Sequence, residues 1–212
     1  MSQFLKIILI PIVLISVTVY SQPGDSRKAL DEKVQAFLTD HKSKWHDLNV
    51  PYEDGQVLHD LIVKNKYTSA LEIGTSTGHS TIWIAWAMSK TGGKVITIEI
   101  DESRHKEAIE NLKHVGLSQY VDARLADAHD LVKTLNGPFD FVFSDADKTW
   151  YTQYFKDLEP KLSVGGCFTA HNVNNNFSGI TEFMQYVKSK KNFETSILGS
   201  KGEGISVSYK KE

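Results

Sequence analysis

Leu71-Glu72-Ile73-Gly74-Thr75-Ser76-Thr77-Gly78-His79-Ser80-Thr81 carries two glycines four residues apart just after a short apolar run. An apolar run over residues 70–73 stops at a glycine-punctuated turn, and a helix-compatible apolar segment follows at 82–88. That is the outline of a strand, a tight turn and a helix. In an open α/β sheet the carboxyl end of the first strand is where a nucleotide-like ligand binds. Gly74 and Gly78 let backbone approach a ligand with no Cβ in the way. Glu72 is placed to accept a hydrogen bond from a ligand's ammonium group. The spacing is E-x-G-x-x-x-G, not the G-x-G-x-x-G of a dinucleotide fold. A glycine turn that merely joins two elements is the plain alternative.

Downstream, strands and helices alternate. A second strand over 94–101 carries Glu99 about 20 residues beyond the turn, where a doubly wound fold places an acid for the hydroxyls of a ribose. A helix over 102–115 ends at Gly116. A third strand, 121–125, runs into Asp127-Ala128 and a helix over 129–135. The fourth, 139–143, releases Asp145, Asp147 and Lys148 within four residues. One charge at a strand end is an ordinary helix cap; three together exceed what capping needs. A helix over 151–162 and the turn at Gly165-Gly166 lead to a strand over 167–170, ending in His171-Asn172. After a helix over 179–189, strands at 194–198 and 205–209 are joined too closely for a crossover helix and must be antiparallel. The class is α/β.

Upstream, residues 25–45 set Leu30, Val34, Phe37, Leu38, His41 and Trp45 on one helical face. Residues 50–55 break that pattern, and a second helix starts near Gln56. Trp83 and Trp86 read as core packing. Residues 1–22 stand apart: Lys6, a short apolar run and small residues before Gln22 form a signal-peptide pattern, with a membrane anchor or a buried helix as alternatives. The remainder, 23–212, is one domain.

The chain has 212 residues, 41% hydrophobic and 24% charged, with a net charge of −2. Those are the proportions of a globular domain. They offer no basic face for nucleic acid. Cys167 is the single cysteine, which excludes an intramolecular disulfide and a cysteine metal cluster.

From about Val50 onward the chain resembles a class I S-adenosylmethionine-dependent O-methyltransferase of the cation-dependent catechol and caffeoyl-CoA type. The motifs are Glu53-Asp54-Gly55-Gln56, Glu72-Ile73-Gly74 with Gly78-His79-Ser80, Asp145-Ala146-Asp147-Lys148 with Tyr151, and Asn172. The resemblance implies a Rossmann-like seven-strand sheet, mostly parallel with the last strand reversed, and helices on both faces. It implies that Glu72, Gly74, Thr75, Gly78 and Ser80 hold the methionine end of S-adenosylmethionine. Glu99 takes the ribose, and Asp127 with Ala128 the adenine. Val50, Asp145 and Asp147 complete the cofactor pocket. Asp145 and Asn172 match metal ligands, with His171 at the position of the remaining one, and Lys148 matches the general base.

The implied reaction is direct displacement of a methyl group by an acceptor oxygen held in line. A phenol (pKa about 10) is a poor nucleophile at neutral pH. A bound divalent cation acidifies it and Lys148 removes its proton, provided Lys148 is neutral, which Asp147 opposes. One position departs from the pattern: the family's Asp-Asn is His171-Asn172 here. Mg²⁺ prefers oxygen ligands and imidazole suits transition metals. Three readings stay open: His171 binds a transition metal, the site is metal-free with His171 as an acid, base or orienting group, or His171 points away. Altered or weakened metal dependence is the expectation.

The expected partner is a small hydroxylated acceptor, with no nucleic acid, a membrane met only through an N-terminal anchor, and room for a homodimer. The leader implies an exported, periplasmic or secreted domain, or an anchored one. That location sits awkwardly with a cytosolic cofactor pool, so an exported, non-catalytic cofactor-binding module of the same fold is the rival. A nicotinamide-dependent oxidoreductase is weakened by the missing G-x-G-x-x-G.

Overall fold

A computed structural model describes residues 23–45, 48–199 and 203–212, with side chains from residue 26. The elements run α1 (Pro23–Asp40), α2 (Tyr52–Asn65), β1 (Ser69–Ile73), α3 (His79–Thr91), β2 (Lys94–Glu99), α4 (Glu102–Val115) and β3 (Val121–Leu125). They continue with α5 (Ala128–Thr134), β4 (Phe139–Ser144), α6 (Tyr151–Leu158), β5 (Leu162–His171), α7 (Ile180–Ser189), β6 (Phe193–Leu198) and β7 (Ile205–Lys210). The strands form one seven-stranded sheet in the order β3-β2-β1-β4-β5-β7-β6. β1 to β5 pair in parallel, and β7 runs antiparallel to both β5 and β6.

Both faces of the sheet are covered, so its central strands are apolar on both sides. Phe141 and Phe143 of β4 enter the core under α1 to α4, and Phe139 and Val142 the core under α5 to α7. Trp83 and Trp86 are buried as core residues. Strand order reverses between β1 and β4, and a crevice opens there beyond the carboxyl ends of the strands.

Several boundaries differ from the sequence reading. α2 starts at Tyr52, not near Gln56, because Pro51 occupies the cap position ahead of the helix. Glu53 and Asp54 then stand in the first turn, where the helix dipole favours acids. α1 stops at Asp40, so His41 and Trp45 belong to the following turn. β2 ends at Glu99, two residues early. α6 ends at Leu158, and β5 begins at Leu162 by pairing with Phe139, so the expected Gly165-Gly166 turn lies inside a strand whose register shifts against β4. The leader or anchor expected over residues 1–22 lies outside the described residues. Among those described, no helix is long and apolar enough to cross a membrane.

Candidate active site

The turn after β1 is held from both neighbouring strands. Gly74 and Thr75 donate backbone hydrogen bonds to Ile98 of β2, and Asp145 N donates to Ile73 O at 2.9 Å. Gly74 has φ +99°, and a Cβ there would stand 3.0 Å from the Asp145 carbonyl. Only glycine lets the turn lie so close against the end of β4.

A cavity of about 850 Å³ opens above this turn. Gly74, Ser76, Glu99, Asp127, Ala128 and Asp147 form one part of its wall, and Asp145, Lys148, His171 and Asn172 another. Glu99 is clamped: Oε2 accepts from Ser76 N at 2.7 Å, and Oε1 from Ile100 N and Asp101 N at 3.0 and 2.9 Å. A carboxylate offers about four acceptor sites, so these amides fix its orientation and leave capacity for a ligand hydroxyl. Asp127 caps α5, accepting from His129 N at 2.8 Å. The His129 ring stacks on Trp150 with centroids 3.9 Å apart.

Val50, Glu72, Thr75, Gly78 and Ser80 lie behind the wall rather than on it. Glu72 is fully buried; its Oε2 accepts from Thr81 and Thr97 hydroxyls at 2.5 and 2.6 Å, while Oε1 has no partner. Thr75 shares a hydrogen bond with Thr97, and Val50 O accepts from His79 Nδ1 at 2.8 Å. Gly78 caps α3. These residues brace the turn from beneath. Burial pushes the Glu72 carboxyl up to about 7, against hydrogen bonds from Ser80, Thr81 and Thr97.

The charged end of the cavity is built on His171. Its Nε2 donates to Asp54 Oδ2 at 2.8 Å, and its Nδ1 lies 3.3 Å from Asp145 Oδ2. Lys148 Nζ meets the other oxygen, Asp145 Oδ1, at 2.8 Å. His171 and Asp54 are buried, and the Asp145 side chain is 9% exposed. Burial pulls His171 down, but hydrogen bonds and charges from Asp145 and Asp54 outweigh it and raise it to about 9. Asn172, at φ +61°, donates to the Glu203 carboxylate. The loop bearing Glu203 is tied to the end of β5 by Val173 N to Gly204 O and Asn174 N to Glu203 O.

Asp147 caps the short turn that follows it. Its Oδ1 accepts from Thr149 N and Oγ1, so the carboxylate facing Lys148 is Asp145. Asp54 and Glu203 carry no site role in the sequence reading, although Asp54 lies within a quoted motif. Phe177 also lines the cavity. Asn174, Asn175 and Asn176 line a separate hollow of about 280 Å³. Trp150 stays behind His129.

The expected ligands Asp145, His171 and Asn172 are together, but their atoms serve one another. Both nitrogens of His171 face carboxylates, and both oxygens of Asp145 face cationic groups. Among the described residues, no group of three or more His, Cys, Asp or Glu side chains is arranged to hold a metal ion. The donor set does not fit the divalent cation that the resemblance implies.

The chain is 38% identical over 130 residues to a catechol O-methyltransferase of Niastella koreensis, covering 59% of this chain and 58% of that protein. It is 28% identical over 159 residues to caffeoyl-CoA O-methyltransferase 2 of Eucalyptus globulus, covering 72% and 62%. The match thus spans about three fifths of these relatives' length. Among solved structures, the O-methyltransferase TomG of Streptomyces achromogenes, in complex with SAM, superposes with a TM-score of 0.71 at 26% identity over 93% of each chain. An O-methyltransferase of Bacillus cereus, in complex with SAH, gives 0.71 at 27% identity over 92% and 94%. The profile of the O-methyltransferase family matches residues 21–191, strands β1 to β5 and the charged strand ends included, and the chain belongs to that family.

Proposed function

We propose that the protein transfers a methyl group from S-adenosylmethionine to a hydroxyl of a small, catechol-like or other aromatic acceptor, with altered metal dependence. The observation that carries this reading is the single cavity in which Glu99 and Asp127 stand beside Asp145, Lys148 and His171. S-adenosylmethionine supplies the electrophile, a methyl group on a sulfonium. Glu99, oriented by three backbone amides, receives the ribose hydroxyls, and Asp127 with Ala128 borders the adenine. The sulfonium end then points toward Asp145 and Lys148.

Phe177 gives an apolar wall and Glu203 a polar rim for an aromatic hydroxyl acceptor. The acceptor oxygen forms a bond to the methyl carbon as the carbon–sulfur bond breaks, its electron pair staying on sulfur. The hydroxyl proton passes to the Lys148–Asp145 pair, whose Nζ and Oδ1 lie 2.8 Å apart. Positioning of this kind supplies much of the rate.

The test is a panel of ortho-diphenols and related phenols incubated with the protein and S-adenosylmethionine, read by mass for a gain of one methyl group. A panel in which no acceptor gains it, with S-adenosylmethionine bound by calorimetry, favours the non-catalytic binding module. The basic residue and apolar run ahead of Gln22 support export or anchoring, which N-terminal sequencing of the protein recovered from cells checks.

A further inference from the structure

Asp54 and His171 are far apart in the chain yet meet at 2.8 Å at the reacting end of the cavity. A carboxylate only accepts hydrogen bonds, so an imidazole ring between two of them satisfies both by carrying hydrogen on both nitrogens. Such a ring has no lone pair left for a metal. On the far side of Asp145 stands Lys148 at 2.8 Å. Asp54, His171, Asp145 and Lys148 thus form one chain of contacts in which acids and bases alternate, and the Glu203 carboxylate stands 3.8 Å from His171 Nδ1. A divalent ion entering here must displace a proton from His171 or Lys148 from Asp145, and adds its charge beside an incoming sulfonium.

We propose that His171, held as a double donor by Asp54, is the fixed positive charge of this site, so that methyl transfer needs no divalent cation. This deepens the proposed methyl transfer and rests on that reading. His171 and Asp54 are positioning residues: they orient Asp145, and through it Lys148, while the acceptor proton goes to the Lys148–Asp145 pair as above. Asp54 reaches the site because α2 begins at Tyr52, which brings the first-turn acid over the end of β5.

The test combines Mn²⁺ binding, read by the paramagnetic resonance of the free ion, with turnover in chelator or in added Mg²⁺ or Mn²⁺. The full-length protein is expected to leave the free-ion signal unchanged and to turn over within about twofold with and without chelator. His171→Asp gathers oxygen donors from positions 54, 145, 171 and 172 and is expected to bind Mn²⁺, with turnover that falls at least about tenfold in chelator, the scale of losses seen when a metal site's surroundings are altered. Asp54→Asn, nearly isosteric, is expected to lose about tenfold or more in kcat with cofactor affinity unchanged and no gain of Mn²⁺ binding.

A stoichiometric Mn²⁺ site in the unaltered protein, or chelator loss restored by a divalent ion, overturns the proposal. So does an Asp54→Asn protein with unaltered kcat. If no phenol is methylated under any condition, the methyl-transfer reading fails. The Mn²⁺ titration still decides whether the site excludes a metal, including where His171→Asp does not fold.

Discussion

Glu72→Gln isolates a buried carboxyl that makes the turn pH-sensitive. Glu72 has no exposed surface, and its carboxyl is raised from 4.5 to about 7 by burial. A carboxyl raised on folding binds its proton more tightly in the folded state. Its contribution is therefore fully present below pH 4.5 and is lost as pH rises through about 7. At about 1.36 kcal/mol per pH unit, that shift is worth roughly 3 kcal/mol. A glutamine keeps an oxygen for the Thr81 and Thr97 hydroxyls and cannot ionise. Its amide hydrogens cost about 1–3 kcal/mol if unpaired, but that cost does not vary with pH. Urea unfolding of both proteins at pH 4.5, 5.5, 6.5 and 8 separates the two effects. The glutamine variant should gain on the parent by roughly 3 kcal/mol between pH 4.5 and 8. Parallel stability curves across that range would refute the assignment of a raised carboxyl to Glu72.

Other expectations follow from the same packing. A Cβ on Gly55 would stand 2.1 Å from the buried Trp83 ring, so Gly55→Ala should lower stability by about 1–3 kcal/mol despite the better helix propensity of alanine. Calorimetry should find Tm lowered by about 2–4 °C per kcal/mol. His79 is held down at about 4 by burial, so stability should fall by roughly 3 kcal/mol as pH drops from 6.5 through 4, and His79→Gln should flatten that acid limb in unfolding titrations. Lys148→Met should lose about 10²- to 10⁴-fold in kcat, with the S-adenosylmethionine Kd from calorimetry unchanged.

What the sequence made legible is what local order determines. Gly116 ends α4 where the sequence places its end, because a terminator acts within a turn of its own position. Glu99 and Asp145 fall at strand ends because apolar runs stop there. Asp54 was hidden for the opposite reason: its partner His171 is 117 positions away, and the proline ahead of it resembled a break. Glu203 sits in the connection between β6 and β7, and only the backbone bonds from Val173 and Asn174 bring it over the cavity. Gly165 and Gly166 resemble a turn, but Leu162 and Cys167 on either side of them both pair with β4, so β5 runs through them as a register shift. His171 stood out as a departure at the right strand end. The carboxylate on each side of its ring decides what that departure does, and only the folded chain shows both.

The most direct test follows a single methyl group. The protein is incubated with methyl-labelled S-adenosylmethionine and an ortho-diphenol, in chelator and in Mg²⁺, and the products are separated. Label is expected on one hydroxyl oxygen of the acceptor, appearing at the same rate in both conditions. Label that appears only when a divalent ion is present would contradict the role given to His171, and label that never leaves the sulfonium would contradict methyl transfer itself.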